Sequence, residues 1–285
     1  MILRFANKHK PQLDLSGPLP AVFGIVNLTP DSFSDGGKYP TPQSAVSAAL
    51  QLLEAGAAGV DIGAESTRPG AREVPAEIEI ARLVPVIRGI LEQKPDAIIS
   101  VDTRKAAAAR AALEAGADII NDVSGLTFDP AMAQTAAEFD AAVVLMHMRG
   151  TPENMRTPEM MRYKDVVAEV ADALESLQAD AITTGIRSDA ILLDPGLGFA
   201  KTPDQDFALV RHAEYLRKRL HTPLFYGPSR KSFLAQLCPG RQASERDYAT
   251  AGILCALAAA GVEVLRVHNV AMAMECLRAY RKAVL

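Results

Sequence analysis

Three cysteines in 285 residues, Cys238, Cys255 and Cys276, are too few and too scattered for a disulfide framework, and no C-x-x-C pair suggests zinc or redox chemistry. They read as small apolar side chains or ordinary free thiols. An excess of one charge is also missing: 30 basic residues stand against 34 acidic ones, a formal net charge of −4. Such a chain has no global field to draw in nucleic acid or an anionic membrane, so any bound anion must meet a local cluster of Lys and Arg. No apolar run approaches the roughly 18 residues that a membrane-spanning helix needs, and the first ten residues contain no signal-peptide core. The expectation is a cytoplasmic protein with neither nucleic acid nor membrane as partner. Nor does any Pro/Gly/Ser-rich linker or low-complexity stretch divide the chain, which predicts a single domain over residues 1–285.

What the chain does have is a repeat of strand then helix. Short, nearly continuous apolar runs occur at 21–27, 58–63, 97–102, 117–122, 141–147, 190–194, 222–227 and 262–268. That pattern suits parallel strands covered on both faces. Helical periodicity fills the intervals, near 41–56, 75–94, 104–115, 130–138, 164–185, 205–220, 244–260 and 270–283. In the first helix Thr41 can cap, Pro42 suits the first turn and Gly56 can end it in the left-handed region. Leu53 to Ala57 and Leu113 to Ala117 both read Leu-Glu-Ala-Gly-Ala before a strand. Eight such units predict an α/β fold of the (β/α)8 TIM-barrel type. The segment Leu13 to Pro18 reads as a short strand and turn that closes the barrel bottom.

Polar residues gather where the predicted strands end, the face on which such barrels hold their chemistry. Asn27, Asp61, Asp102, Asn121-Asp122, His147 and Asp194 end strands one to six, Ser229 to Ser232 follow the seventh, and the eighth carries Arg266 and His268. Asp61 and Asp122 read equally well as site residues or as helix caps and loop braces, and His147 reads as a satisfied core histidine. Lys201, His9, His212 and His221 read as solvated surface residues. Asp102 and Asp194 differ, because each ends an apolar run and lacks a donor unless a ligand brings one. Two carboxylates and an Asn amide at one depth suit a flat heterocycle with adjacent N–H donors, such as the edge of a pterin, with Lys231 available to its carbonyl. Arg68, Arg266 and His268 form a predicted positive cluster that suits a pyrophosphate.

These residues carry a resemblance. Gly24 to Gly37 (GIVNLTPDSFSDGG), Glu65 to Gly70 (ESTRPG), Ser100 to Thr103, Ile120 to Asp122, Met146 to Met148, Leu193 to Phe199 (LDPGLGF), Ser229 to Ser232 (SRKS) and Arg266 to Asn269 together resemble dihydropteroate synthase over about residues 13–270. The resemblance implies a (β/α)8 enzyme of folate synthesis. Such an enzyme joins 6-hydroxymethyl-7,8-dihydropterin pyrophosphate to p-aminobenzoate with Mg²⁺, by SN1-like loss of pyrophosphate, and acts as a homodimer. By motif it implies that Thr67, Asp102, Asn121, Met146, Asp194, Lys231 and Arg266 meet the pterin. Phe33, Arg68, Pro69, Phe199, Lys231 and Ser232 would meet p-aminobenzoate. Asn27, Arg68, Arg266 and His268 would meet the pyrophosphate, with Asn27 also on Mg²⁺ and Asp35 assisting from the first loop. Asn269, Ala64, Ala200, Leu197 and Pro228 depart from the commonest family pattern without removing a ligand-binding side chain.

Three alternatives are weaker. A methyltetrahydrofolate-dependent methyltransferase should lack the Thr29–Gly37 loop and Ser229-Arg230-Lys231. A catalytically silent pterin-binding homologue should have lost Asn27, Arg68 or Lys231. An aldolase using Lys231 as a Schiff base does not explain why Asp102, Asn121 and Asp194 would be collected together.

Overall fold

Eight parallel strands, each short and apolar, stand in a ring with the helices outside it. The protein is described by a computed structural model covering residues 2–5, 10, 12–29, 41–67, 70–71 and 73–284. The strands are β1 (Ala21–Asn27), β2 (Gly59–Gly63), β3 (Ile99–Asp102), β4 (Ile119–Asp122), β5 (Ala142–Met146), β6 (Ile191–Asp194), β7 (Phe225–Tyr226) and β8 (Val264–Val267). Neighbours in sequence pair from β1 to β6, while β8 pairs with both β1 and β7. This is the (β/α)8 barrel expected from the repeat.

The seam lies between β6 and β7, where the bridge Leu193–Leu224 and one bond from the Leu193 N–H to the Pro223 carbonyl (3.0 Å) join the edges. There the expected strand 222–227 shrinks to Phe225–Tyr226. Pro223 and Pro228 have no N–H to give to a ladder, which limits pairing at both ends.

The helices are α1 (Pro42–Glu54), α2 (Ala76–Gln93), α3 (Ala106–Glu114), α4 (Met132–Glu138), α5 (Val166–Thr183), α6 (Pro203–Arg211), α7 (Ala213–Leu220), α8 (Asp247–Ala259) and α9 (Val270–Val284). Thr41 and Ser44 form a capping box at the start of α1, and Gly56 follows its end at φ +105°. The helix expected over 205–220 is two helices meeting at His212 (φ −103°, ψ 19°). It also starts earlier, because Thr202 and Gln205 cap one another around Pro203. Among the described residues no helix is long and apolar enough to cross a membrane.

The barrel bottom is closed as expected, with one addition. Leu13–Asp14 pairs antiparallel with Ile2–Leu3. Leu3, Phe5, Leu13 and Leu15 then pack against Phe23, Ile119, Phe225 and Val264 at the starts of the strands. Leu3 is 1% exposed and Phe23 is fully buried, so this plug is continuous with the core and leaves the opposite end for chemistry. The cysteines are free thiols, with the Cys255 and Cys276 sulfurs 3.2 Å apart between α8 and α9.

Candidate active site

Strand register fixes the floor of the site. Asn27 is paired with Gly63, Gly63 with Asp102 and Asp102 with Asn121, so three polar side chains lie along one arc spanning β1 to β4. Met146 and Asp194 face each other on the next pair of strands. Above this floor opens a cavity of about 470 Å³, a size suited to a small two-part ligand. Asn27, Thr67, Asp102, Asn121, Met146 and Asp194 line it, and so do Phe199, Lys231, Ser232, Arg266 and His268. Phe33, Asp35, Arg68 and Pro69 lie outside the described residues.

Asp61, which read equally as a brace, is the hub beneath the cavity. It is fully buried, and its Oδ1 accepts from the Ser100 hydroxyl at 2.5 Å and from the Asn121 amide at 3.3 Å. Its Oδ2 accepts from Arg266 Nε. Arg266 Nη2 donates to Asp102 Oδ2 at 3.0 Å. The predicted positive cluster is therefore corrected at Arg266: two carboxylates hold its guanidinium, so it contributes geometry more than free positive charge. Asp102 Oδ1 is buried with no hydrogen-bond partner, an acceptor awaiting a donor. Burial pushes the Asp102 carboxyl up to about 7; Arg266 opposes the rise, and the Asp61 and Asp122 charges add to it. Asp122, by contrast, fulfils the local reading. It accepts from the Ser124 N–H and hydroxyl, both at 2.7 Å, and lies away from the cavity wall.

The turn after β7 uses its two basic residues differently. Arg230, at φ +59°, directs its guanidinium to Asp247 at 2.7 and 2.9 Å, and Asn269 donates to the same carboxylate at 3.0 Å. Lys231 turns inward, donating to the Leu197 carbonyl and holding its ammonium 4.6 Å from the centre of the Phe199 ring. Burial pulls the Lys231 ammonium down, while Asp194 and Asp206 pull it back up. The Ser229 hydroxyl accepts from the His268 N–H at 3.1 Å and lies 2.9 Å from its Nδ1, which fixes the imidazole at the rim.

Two features escaped the sequence. Lys201 is not a solvated surface residue; it is fully buried, beside His147 and three backbone carbonyls. Its charge is held by carbonyl dipoles, for which no one-dimensional pattern exists. His147 keeps the role of a core histidine, 4% exposed, its ring held neutral because burial pushes its pKa down to about 2. At the outer edge of the cavity Arg156 donates to Ser232 Oγ at 3.0 Å, and Arg246 reaches the Arg230 and Lys231 carbonyls. Both come from irregular segments with no motif to mark them. Beside the site, buried Glu65 accepts from Arg104 (3.1 Å), from Lys105 and from the Val74 N–H (2.7 Å). These bonds brace the loop that carries Thr67.

Comparison with known proteins identifies the family and the fold. The family profile described as pterin binding enzyme matches residues 23–268. A dihydropteroate synthase of Synechocystis sp. is 43% identical over 256 residues, covering 90% of this chain and 87% of that protein. One from Streptococcus pyogenes is 42% identical over 251 residues, covering 88% and 90%. Among solved structures, the Yersinia pestis dihydropteroate synthase in a sulfonamide drug complex superposes with a TM-score of 0.92 at 37% identity, over 99% of both chains. The Xanthomonas albilineans enzyme in complex with 7,8-dihydropteroate gives 0.84 at 33% identity, over 99% of this chain and 98% of that one.

Proposed function

The chain belongs to the pterin-binding enzyme family, among the dihydropteroate synthases, and on that premise we infer that its cavity joins 6-hydroxymethyl-7,8-dihydropterin pyrophosphate to p-aminobenzoate, releasing pyrophosphate. The observation that carries the reading is Asp102 Oδ1, a buried acceptor without a donor on the floor of a cavity that Asn121, Asp194 and Lys231 also line. A pterin supplies the missing N–H groups. Asp102 and Asp194 accept from its edge, Asn121 is aimed by Asp61, and Lys231 donates to the ring carbonyl. Met146 and Arg266 bound the ring plane.

Loss of pyrophosphate leaves positive charge on the dihydropterin and negative charge on the leaving group, and the site must favour both as they separate. Asp102 and Asp194 supply negative charge beneath the ring. His268, held by Ser229, serves the departing anion, and the family resemblance assigns Arg68 to it as well; Arg266, held by Asp61 and Asp102, contributes position more than free charge. Phe199, Lys231 and Ser232, with Phe33 and Pro69, shape the p-aminobenzoate subsite, whose aniline nitrogen needs no strong base. Asp35 is assigned to assist from the first loop.

The residues present fit a Mg²⁺ ion bound mainly by substrate. Asn27 offers a hard oxygen at the cavity edge, and two residues on the Thr29 hydroxyl is buried without a partner. Mg²⁺ prefers octahedral oxygen with few protein ligands and the rest from phosphate and water. When bound, it would neutralise charge on the pyrophosphate. Asn27→Ala is expected to raise the Mg²⁺ concentration for half-maximal rate by about tenfold, about 1.4 kcal/mol. An unchanged metal titration would remove Asn27 from that role.

The decisive assay mixes the protein with the pterin pyrophosphate, p-aminobenzoate and Mg²⁺ and measures dihydropteroate by mass. Bound pterin without product would identify a silent homologue. A pH dependence follows from Asp102. Its carboxylate must be ionised to accept the pterin N–H, so affinity falls as the pH drops below about 7. Between pH 8 and pH 6 the loss should be about tenfold by calorimetry, with proton release on binding. A flat affinity over that range would contradict the role.

The same reading pairs the chain with a second copy through outer helices in the last third of the sequence. The exposed apolar side chains Tyr215, Leu237 and Tyr248 support it, and sedimentation tests it. It also takes the enzyme to be cytoplasmic, in keeping with the free thiols.

A further inference from the structure

Lys201 is a nominally surface group that the fold buries completely, and the reaction as derived above makes no use of it. Burying an ammonium is costly unless its donors are satisfied. Here they are: Nζ lies 3.0 Å from the Gly196 carbonyl, 3.0 Å from the Phe199 carbonyl, 3.3 Å from the His147 carbonyl and 3.1 Å from His147 Nδ1. The neutral His147 ring can accept from the ammonium, which assigns its proton to Nε2. Burial still pulls the Lys201 ammonium down to about 7, with Asp206 and Asp194 opposing.

The acceptors belong to an unusual turn. Gly196, Gly198 and Ala200 have φ of +70°, +81° and +50°, so alternate residues are left-handed and carbonyls converge on one side. At Gly196 a Cβ would lie 2.0 Å from the His147 carbonyl oxygen, so the turn is also pressed against the end of β5. Two of its N–H groups are held as well: Gly196 donates to Asp194 Oδ1 and Gly198 to Asp206 Oδ1, each at 2.7 Å. The opposite face carries the p-aminobenzoate side of the cavity. There the Leu197 carbonyl receives the Lys231 ammonium, and the Phe199 ring lies under it.

We propose that Lys201 is a positioning residue. Its ammonium gathers the Gly196 and Phe199 carbonyls against His147, and so sets the Leu197 carbonyl and Phe199 ring that place Lys231 and shape the p-aminobenzoate subsite. The proposal rests on the synthase reading. It differs from a merely structural role in its imbalance. Asp102 and Asn121 stand on β3 and β4, away from this turn, and keep their hold on the pterin. Asp194 and Lys231 touch the turn through the Gly196 N–H and the Leu197 carbonyl, and the p-aminobenzoate subsite is built on the turn itself.

The test uses the full chain and two ligands, the product 7,8-dihydropteroate, which spans both subsites, and 6-hydroxymethylpterin, which occupies one. Lys201→Met keeps the stem and removes the charge. It is expected to weaken dihydropteroate at least tenfold and to raise KM for p-aminobenzoate by a similar factor, with pterin affinity within threefold of wild type and KM changed more than kcat. Lys201→Arg keeps the charge and should recover part of the loss. Unchanged dihydropteroate affinity, equal losses for both ligands, or a Met variant that no longer binds pterin would each overturn the positioning role. Wild-type protein that makes no dihydropteroate and binds neither ligand would defeat the synthase reading, and this proposal with it.

Discussion

Lys231→Met is expected to cut dihydropteroate formation by about 10³, a loss of about 4 kcal/mol of transition-state stabilisation, while the melting temperature stays within a few degrees. The asymmetry follows from what the lysine touches. Its ammonium is fixed by the Leu197 carbonyl and the Phe199 ring at the boundary between the two inferred subsites. It therefore serves the pterin carbonyl and the incoming p-aminobenzoate from one position. Stability should move little, because two effects oppose. Removing the charge relieves the burial that holds its pKa down, but it also removes a favourable charge beside Asp194. Methionine fills most of the stem volume, so no large cavity is left. Pyrophosphate release and thermal melting measure the two quantities on one sample. A rate within threefold of wild type would take Lys231 out of the chemistry, and a large drop in melting temperature would make the loss of rate a folding effect.

The strand pattern foretold the barrel well because burial on both faces demands apolar, β-branched runs, and Ala21–Asn27 was legible to the residue. Strand seven was overestimated since apolar content does not reveal that Pro223 and Pro228 withhold donors. Ile2–Leu3 carries no readable period; it becomes a strand only because Leu13–Asp14 offers it an edge. In the site, Asp102, Asn121 and Asp194 were legible because each interrupts a hydrophobic strand end. Asp61 interrupts one in the same way, yet its role depends on register against Ser100 and on Arg266, 205 positions later. Lys201 was misread for a similar reason. A lysine after a Gly-rich turn looks solvated until the backbone aims several carbonyls at one point. Residues that act directly left a chemical mark in the sequence, whereas residues that hold others in place did so only through geometry.

Asp61→Asn tests that distinction at the point where stability and function meet. The carboxylate is fully buried and serves Ser100, Asn121 and Arg266 at once. Asparagine keeps the shape but turns one acceptor into a donor, which then faces either the Arg266 guanidinium or the Asn121 amide. Removing one partner of a buried ion pair costs about 3–5 kcal/mol. Arg266 retains Asp102 at 3.0 Å, so the lower end of that range is expected from denaturant unfolding. Turnover should fall about 10²-fold, about 2.7 kcal/mol, because Asn121 and Arg266 both lose the group that aims them. The charge change also reaches Asp102. The Asp61 carboxylate is one of the like charges that raise the Asp102 pKa, so its removal should let that pKa fall. The loss of pterin affinity on acidification, set near pH 7 in the wild type, should then move to lower pH in Asp61→Asn. An unshifted pH dependence would show that burial alone raises Asp102, and stability equal to wild type would show that Asp61 is not the hub of the floor.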